Sequence, residues 1–435
     1  MSELLSELLS RSGIAKVAVI GGGISGLSVA YLLSRRFRVT LFEKRDRLGG
    51  HTLTVPVEMA DAPGGSVPVD MGFIVHNRKT YPNFCRLMAE LKVDSCESNM
   101  SFALHGGPKG LTWSSRGLNG FFADRINVFN PRYFGLWREV RRFNKLGNQL
   151  LEDGASQDVS LVEFLDEHRF SAAFRENYLY PMAGAVWSSA LDQMGDFPAF
   201  TLLVFFRDHG LLGLTNHQRW RTIRGGTSRY IEPLTKPYAD GIVLGAKITE
   251  IRRNLEGADL RMEDSETLRF DHVVFACHGD QVLPLLGDAT KAEREVLSGF
   301  RTNRNPTVLH TDSSILDKRR RAWAAWNVRA TADRSRLWLS YHANRLQPLE
   351  TKGDIFVSLN ADELLDPKRI LRKEVFHHPR YDLAALQAQT RWEEISGRYS
   401  AFGRTHYCGA HWGLGFHEDG LNSAIKVAQS LGIQW

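Results

Sequence analysis

Residues 16–47 read KVAVIGGGISGLSVAYLLSRRFRVTLFEKRDR. Lys16–Ile20 is a short apolar run, the pattern of a buried parallel strand. Gly21, Gly23 and Gly26 follow in G-x-G-x-x-G spacing, and Leu27–Arg35 has the apolar pattern of a helix. Arg38–Phe42 reads as a second strand, with Glu43 at its end. Each part has a task in holding a dinucleotide. Gly21 makes the tight turn out of the strand. Gly23 lets a pyrophosphate approach the backbone, and Gly26 lets helix and strand pack closely. The helix N-terminus offers free N–H groups and partial positive charge to phosphate. Glu43 accepts hydrogen bonds from ribose hydroxyls. A lone glycine motif is weak, and the bland alternative is a Gly-rich turn without ligand. Strand, helix, second strand and acid together favour the dinucleotide.

The rest of the chain is organised outward from this unit. Its 435 residues are enough for two or three core-forming units. With 43% apolar and 24% charged residues it reads as globular. Cys85, Cys96, Cys277 and Cys408 are scattered with no C-x-x-C pair, which suggests neither a zinc site nor a redox dithiol. Reduced thiols in a cytoplasmic setting fit best. Met1–Gly13 carries Glu3 and Glu7 and does not read as a secretory signal. Its Leu4, Leu5, Leu8 and Leu9 have the spacing of a docking helix or a membrane-surface contact. No apolar run approaches the ~18 residues of a spanning helix. The net charge is +6, with basic clusters at Arg35–Arg38, Arg138–Lys145 and Lys318–Arg321. No nucleic-acid motif accompanies them. Most read as solvated faces. Lys318–Arg321 precedes Trp323 and Trp326, a composition that suits a lipid headgroup interface.

Beyond Glu43, the Gly49-Gly50 pair allows close backbone approach and Arg47 can face phosphate. Val67–Met71 reads as a strand, and Gly72 after it can let a flat ring pass. Thr80–Lys92 reads as a helix, Phe121–Arg142 is aromatic and basic, and Ser160 with Glu163 reads as a capping box. Phe197–Leu214 is dense in Phe and Leu. This middle region reads as a largely helical insertion with substrate contacts, most of its apolar residues being core. Gly225-Gly226 marks a turn back, with a helix to about Ala239. Ile242–Leu244, Lys247–Arg252, Leu260–Glu263 and Asp271–Cys277 then read as strands of the dinucleotide unit. Thr307–Asp312, Leu337–His342 and Ile355–Leu359 read as a second sheet. Thr405–Leu421 is strand, Gly-rich loop and the start of a helix running from about Gly420 to Leu431, again aiming a helix N-terminus at an electron-rich group. The N1–C2=O edge of a flavin is a natural target.

These motifs converge on a family. GGGISG with Glu43, Arg47–His51, the Gly225-Gly226 turn, the strand near Ile248, VVFACH and the Gly-rich C-terminus resemble the flavin-containing amine oxidase and phytoene desaturase superfamily. VDMGFIVHNRKTYPNF, MSFALH, YLYPMAGAVWSS, WNVRA, YHANRLQ and GAHWGLGFHEDGL resemble a bacterial group of predicted NAD/FAD-binding proteins. That group is similar to the N-terminal oxidoreductase region of plant cyclopropane fatty acid synthases, and a furan fatty acid desaturase looks like one of its wider members. The resemblance implies an α/β fold: a Rossmann-like FAD-binding domain of the glutathione-reductase/amine-oxidase type with an inserted α+β substrate domain. Residues 1–80, 225–290 and 396–435 would form the first, and 81–224 and 291–395 the second.

It also implies FAD as cofactor. Gly21, Gly23, Ser25 and Gly26 would take the pyrophosphate and Glu43 the adenosine ribose, with Ile24, Lys44 and Gly49 in the same set. Arg47, Gly50, His51 and Thr52 would lie along the pyrophosphate and ribityl chain. Gly72, Phe73 and Ile74 would approach the isoalloxazine, and Ile248 the adenine through its backbone. Gly409 and His417, Glu418, Asp419, Gly420 and Leu421 would border the ribityl chain and pyrimidine edge. Ala410 stands where amine oxidases usually carry an acid for a ribityl hydroxyl, so that contact is missing or comes from elsewhere, such as Glu418 or Asp419. The lysine that many amine oxidases hold near flavin N5 has no counterpart that can be placed.

Among polar candidates near the ring, His76, Tyr180, Tyr341, His411 and His417, the catalytic set is His417, His76 and Tyr341, each equally readable as a satisfied structural group. No metal-ligand spacing or nucleophile triad competes. No second G-x-G-x-x-G unit is present, so electrons are expected to leave to oxygen or another acceptor. Three functions remain open. The first is hydride transfer to flavin N5 from a long, methyl-branched or modified acyl chain of a membrane phospholipid, by a protein peripheral at the inner face of an anionic membrane. The second is an amine oxidase. The third is a non-catalytic flavin-bound partner of a cyclopropane-synthase-like methyltransferase. No nucleic-acid partner is expected.

Overall fold

The computed structural model describes residues 14–154, 159–188, 191–213, 218–263, 267–330 and 337–435. The leucine-bearing segment Met1–Gly13 lies outside the described residues. Strand β1 (Lys16–Ile20) sits in the middle of a five-stranded sheet. Strand β2 (Arg38–Glu43) flanks it on one side and His272–Phe275 on the other. Ile242–Leu244 and Thr405–Tyr407 are the outer strands, and every pairing is parallel. A parallel sheet is covered on both faces, so its strands must be apolar throughout. Val17 to Ile20 are all buried.

Helix α1 (Ile24–Leu33) crosses from β1 to β2 and is buried at nine of its ten positions. The cause is the C-terminal helix His417–Ser430, which lies against its outer side. A Cβ on Gly420 would sit 2.8 Å from Cγ2 of Ile24 and Oγ of Ser25. A helix apolar all round belongs in such a sandwich. It starts at Ile24, earlier than the apolar period at Leu27 suggests, because Gly23 already caps it with extended backbone (φ −80°, ψ −177°). The segment after Gly225-Gly226 is not one helix to Ala239. It is the 3-10 turn Thr227–Tyr230, the short helix Ile231–Thr235 and a further 3-10 turn, Lys236–Gly241. Pro237 removes an N–H and disfavours helical backbone before it, and Tyr238 leaves helical geometry.

The second sheet has seven strands, in the order Ile370–Arg380, Arg301–His310, Phe356–Leu359, Leu337–His342, Trp326–Ala330, Phe102–Gly107, Leu111–Ser114. Its pairings are antiparallel except Trp326–Ala330 with Phe102–Gly107. Ile370–Arg380 escapes sequence reading because it is a half-buried sheet edge and its ILRKEVFHHPR pattern has no apolar run. Helices Pro131–Glu152, Leu161–Glu167, Tyr180–Trp187 and Ala199–Asp208 share one apolar core with this sheet. Asn130 caps the first of them through Arg132 N–H, with Pro131 in the first turn. Ser160 and Glu163 form the expected capping box of the second.

Core membership crosses the expected segment bounds. The hairpin of Thr54–Glu58 and Ser66–Asp70 buries Val55, Val57, Val67 and Val69 in the second core. Two strands cannot bury an apolar face alone, so the hairpin takes the nearest large sheet. Conversely, Phe84, Leu87 and Met88 of helix Pro82–Glu90, and Val296, Leu297, Ala385 and Ala388, pack in the first core. The headgroup interface expected at Trp323 and Trp326 is corrected. Trp323 is buried against Phe356, its indole N–H donating to the Asp317 carbonyl at 2.6 Å, and Trp326 sits in the sheet edge-on to Tyr341. Among the described residues no helix is long and apolar enough to cross a membrane.

Candidate functional site

The glycine loop between β1 and α1 is shaped by close backbone approaches. Gly21 has φ +114°, and a Cβ there would meet the Ala276 carbonyl at 2.9 Å. A Cβ on Gly26 would run into the carbonyl oxygen of Gly21. Gly23 is different: its backbone is ordinary, and a Cβ on it meets nothing within 4 Å. The first turn of α1 has no side-chain cap and no acid, so the helix N-terminus faces this open space with its N–H groups. Gly49 N–H donates to Gly22 O at 2.8 Å and fixes the second glycine pair beside the first. Gly50 lies over Gly23, 3.0 Å from its Cα when given a Cβ.

Glu43 is buried at the end of β2. Its Oε2 accepts Gly22 N–H at 2.7 Å and its Oε1 accepts Arg45 N–H at 2.9 Å. The acid therefore holds the glycine loop in shape, with a lone pair left on each oxygen. Ala246 N–H donates to the Glu43 carbonyl at 2.9 Å, which brings Ile248, at the start of strand Ile248–Asn254, beside the same strand end. Lys44 is exposed there. Arg47 folds over the glycine pair: its Nη1 donates to Gly50 O at 3.2 Å and to Leu48 O and Thr52 O at 3.4 Å. Its Nη2 is buried without a partner. Burial, and then Arg45, lower its pKa. A buried guanidinium with an unused N–H calls for an anion. Gly23's open space, the uncapped helix start and the orphaned Arg47 Nη2 thus fit the phosphates of FAD.

Further along, His51 is stacked on Phe376 with centroids 5.0 Å apart, and His378 and His278 lie edge-on at 5.1 and 5.7 Å. Its Nε2 is buried without a partner, and burial, then the neighbouring imidazoles, hold it well below the usual histidine range. Among the described residues no group of His, Cys, Asp and Glu is placed to hold a metal ion. Gly72 passes against the His51 carbonyl, which also accepts Phe73 N–H at 2.9 Å. Ile74 is buried, its carbonyl accepting the Thr222 hydroxyl at 2.8 Å.

The C-terminal helix meets this segment directly. His417 lies on Phe73, and its Nε2 is 2.9 Å from Thr52 Oγ1, which is 2.7 Å from Tyr230 Oη. Burial, and then His76, push His417 down to about 3. Glu418 accepts Asn83 N–H at 2.9 Å and Phe84 N–H at 2.8 Å, capping helix Pro82–Glu90. Asp419 accepts Phe416 N–H at 2.9 Å and closes its own helix start. Both carboxylates thus accept backbone N–H groups, as Glu43 does, and keep further acceptor lone pairs. Burial raises both, Asp419 to about 6. Leu421 is core, and Gly409 N–H donates to Ser423 Oγ at 2.9 Å.

His76 joins the same cluster, edge-on to Phe84 at 5.3 Å, with its Nδ1 buried and unpartnered and its pKa lowered to about 4 by burial. His411 is buried against Phe300 and lowered to about 3. Tyr341 lies elsewhere, on the central strand Leu337–His342 against Trp326, and burial raises its phenol. Among the described residues no ring contact links it to His76 or His417. Sequence reading also misses Asp70. This buried acid accepts Thr54 Oγ1 at 2.5 Å, Thr227 N–H at 2.9 Å and Gln347 Nε2 at 2.8 Å, tying the hairpin, the Gly225-Gly226 turn and the YHANRLQ motif together. The signal was an acid inside the apolar VPVDMG strand, since a buried carboxylate must find donors.

With this geometry in hand, comparison with known proteins is informative. Residues 24–431 match the family "Flavin containing amine oxidoreductase". The amine oxidase [flavin-containing] A of Bos taurus is 25% identical over 289 residues, 63% of this chain and 51% of that protein. The chain thus spans about half the length of this relative. A solved putrescine oxidase mutant superposes with a TM-score of 0.69 at 14% identity, over 96% of this chain and 99% of that one. A CLA-producing fatty acid isomerase from P. acnes does so with a TM-score of 0.64 at 17% identity, over 97% and 99%. These low identities speak for the fold. The chain belongs to the flavin containing amine oxidoreductase family, with FAD as its cofactor.

Proposed function

We propose that this protein oxidises a long acyl chain of a phospholipid, methyl-branched or otherwise modified, desaturating it at the flavin. The observation that carries this reading is the buried aromatic cluster running from the cofactor motifs into the inserted domain. It is a chain of rings: His417 on Phe73 at 3.6 Å, Phe73 to Phe84 at 5.2 Å, Phe84 to His76 at 5.3 Å, and His76 to Tyr81 at 6.5 Å. Tyr81 leads to Trp220, then His209, Phe205 and Phe416. Burial lowers its imidazoles to about 3 for His417 and about 4 for His76 and His209, so each is neutral near pH 7. The bordering carboxylates, Glu418 and Asp419, accept backbone N–H groups of the protein. Rings without charge of their own suit a hydrocarbon. The neighbour named a fatty acid isomerase places a fatty acid enzyme on this same fold.

The cofactor roles are those that the family resemblance implies. The N–H groups at the start of α1 and the unpartnered Nη2 of Arg47 would hold the pyrophosphate, with Gly23 and Gly50 leaving it room. Glu43 would meet the adenosine ribose, His51 and Thr52 would line the way to the ring, and Gly72 to Ile74 would approach it. Bound there, the flavin supplies a hydride acceptor for a substrate C–H. The protein's own part is to hold that C–H in place and exclude water, with the buried Phe73, Phe84 and His417 cluster keeping this region dry.

A second reading, oxidation of an amine, is favoured by the names of the curated relatives. One experiment separates the two. The FAD-loaded protein is mixed anaerobically with phospholipids bearing plain and methyl-branched acyl chains, and with a panel of amines. Loss of oxidised-flavin absorbance with the lipids supports acyl oxidation. Rapid loss with an amine and none with any lipid overturns it.

A further inference from the structure

Fourteen large apolar side chains are exposed among the described residues, and six of them, Leu118, Ile126, Val128, Phe129, Phe134 and Trp137, fall within residues 118–137. Three are close to fully exposed: Phe129 at 86%, Leu118 at 78% and Ile126 at 73%. They come from the short helix Gly117–Phe121, the 3-10 turn Arg125–Phe129 and the start of helix Pro131–Glu152. The base beneath them is firm. Phe121 and Phe122 pack on the buried ring of Tyr133 at 5.5 and 5.9 Å, and Tyr133 Oη donates to the Thr112 carbonyl at 2.7 Å. Asp124 and Asn130 cap the turn and the helix. On the long helix, Tyr133, Leu136, Val140 and Phe143 face the core, which leaves Phe134, Trp137, Arg138, Arg141 and Lys145 outward.

The charge around the patch has one sign. Arg116, Arg125, Arg132, Arg138, Arg141 and Lys145 are all exposed. The two acids of the same stretch are paired: Asp124 with Arg319 at 2.5 Å, and Glu139 with Arg142 at 3.8 Å while it accepts Ser171 N–H at 3.0 Å. Arg141 lies over Trp137, 5.1 Å from the ring centroid. Apolar and aromatic tips inside a cationic rim match the headgroup–acyl boundary of an anionic bilayer. A second copy of the chain fits worse, because a two-fold contact would bring two cationic rims together.

We propose that residues 117–145 form a docking face for an anionic phospholipid surface, with Phe129 and Phe134 entering the acyl boundary and Arg138 and Arg141 on the phosphates. This is a claim about where the substrate domain rests, so its failure would leave the acyl-oxidation reading standing. The test uses FAD-loaded protein sedimented with vesicles of phosphatidylglycerol in phosphatidylcholine, and with phosphatidylcholine alone. The wild type binds the anionic vesicles, and less so as salt rises. Two double variants, Phe129→Asp with Phe134→Asp and Arg138→Glu with Arg141→Glu, each bind at least about tenfold more weakly. Both keep wild-type flavin content and melting temperature, because all four side chains are exposed. Equal binding to both vesicle types, or variants that bind as the wild type does, would overturn the proposal. So would a wild-type dimer that the phenylalanine variant turns into a monomer.

Discussion

The imidazole of His417 lies flat against the ring of Phe73, with centroids 3.6 Å apart and planes 12° from parallel. Its Nε2 is bound to Thr52 Oγ1, and its pKa is pushed down to about 3. A ring so placed orients its neighbours and takes up no proton in the neutral range. His417→Ala should therefore cost about 2–4 kcal/mol in urea unfolding, through the lost packing and hydrogen bond. The pH profile of flavin reduction should keep its wild-type shape. A profile limb that vanishes in the variant would return His417 to the role of proton acceptor.

Acid should destabilise the fold early. Burial lowers His76, His209, His278, His310, His342 and His378 to about 4, and His406, His411 and His417 to about 3. Unfolded, each binds a proton near pH 6.5, so between about 4 and 6.5 the unfolded chain holds more protons than the folded one. These groups stabilise the fold above that window and lose their contribution as pH falls through it. Asp70, raised to about 7, Asp419, raised to about 6, and Glu418, raised by burial, act in the opposite direction, losing stability as pH rises. Nine groups outweigh three. The urea midpoint should fall steadily from pH 7 to pH 5, and a flat or rising midpoint would contradict this.

Arg253 is fully buried and held by two acids. It binds Glu293 through both terminal nitrogens and Asp288 through its Nε at 3.1 Å, while Tyr407 Oη donates to Glu293 at 2.7 Å. This network joins strand Ile248–Asn254 to Thr405–Tyr407, the outer strand of the first sheet. Removing one partner of a buried pair leaves an uncompensated charge, so Glu293→Ala should cost about 3–5 kcal/mol. Arg253→Met with Glu293→Met should cost clearly less. Equal losses would mean that the pair contributes packing alone.

What could be read in advance was local. The strand–glycine–helix–strand unit declares itself within 32 residues, since apolar periodicity and glycine geometry act between near neighbours. The Ser160–Glu163 box is legible for the same reason. What escaped depends on partners far away in the chain. That Glu418 also caps a distant helix shows only when Asn83 and Phe84 supply their N–H groups. Trp323 looks like an interfacial tryptophan until Phe356 covers it. The exposed Phe129 and Phe134 sit in a stretch whose aromatic density reads as core, and only the fold shows which rings point inward.

The most direct test is Gly23→Val. Its backbone is ordinary and a Cβ there meets no protein atom within 4 Å, so the variant should fold and melt as the wild type does without flavin. The space it fills is the one assigned to the pyrophosphate. Flavin content, measured from the absorbance ratio of purified protein reconstituted with FAD, should fall at least about tenfold. A Gly23→Val protein that keeps its full flavin complement would contradict the cradle on which the rest of the account stands.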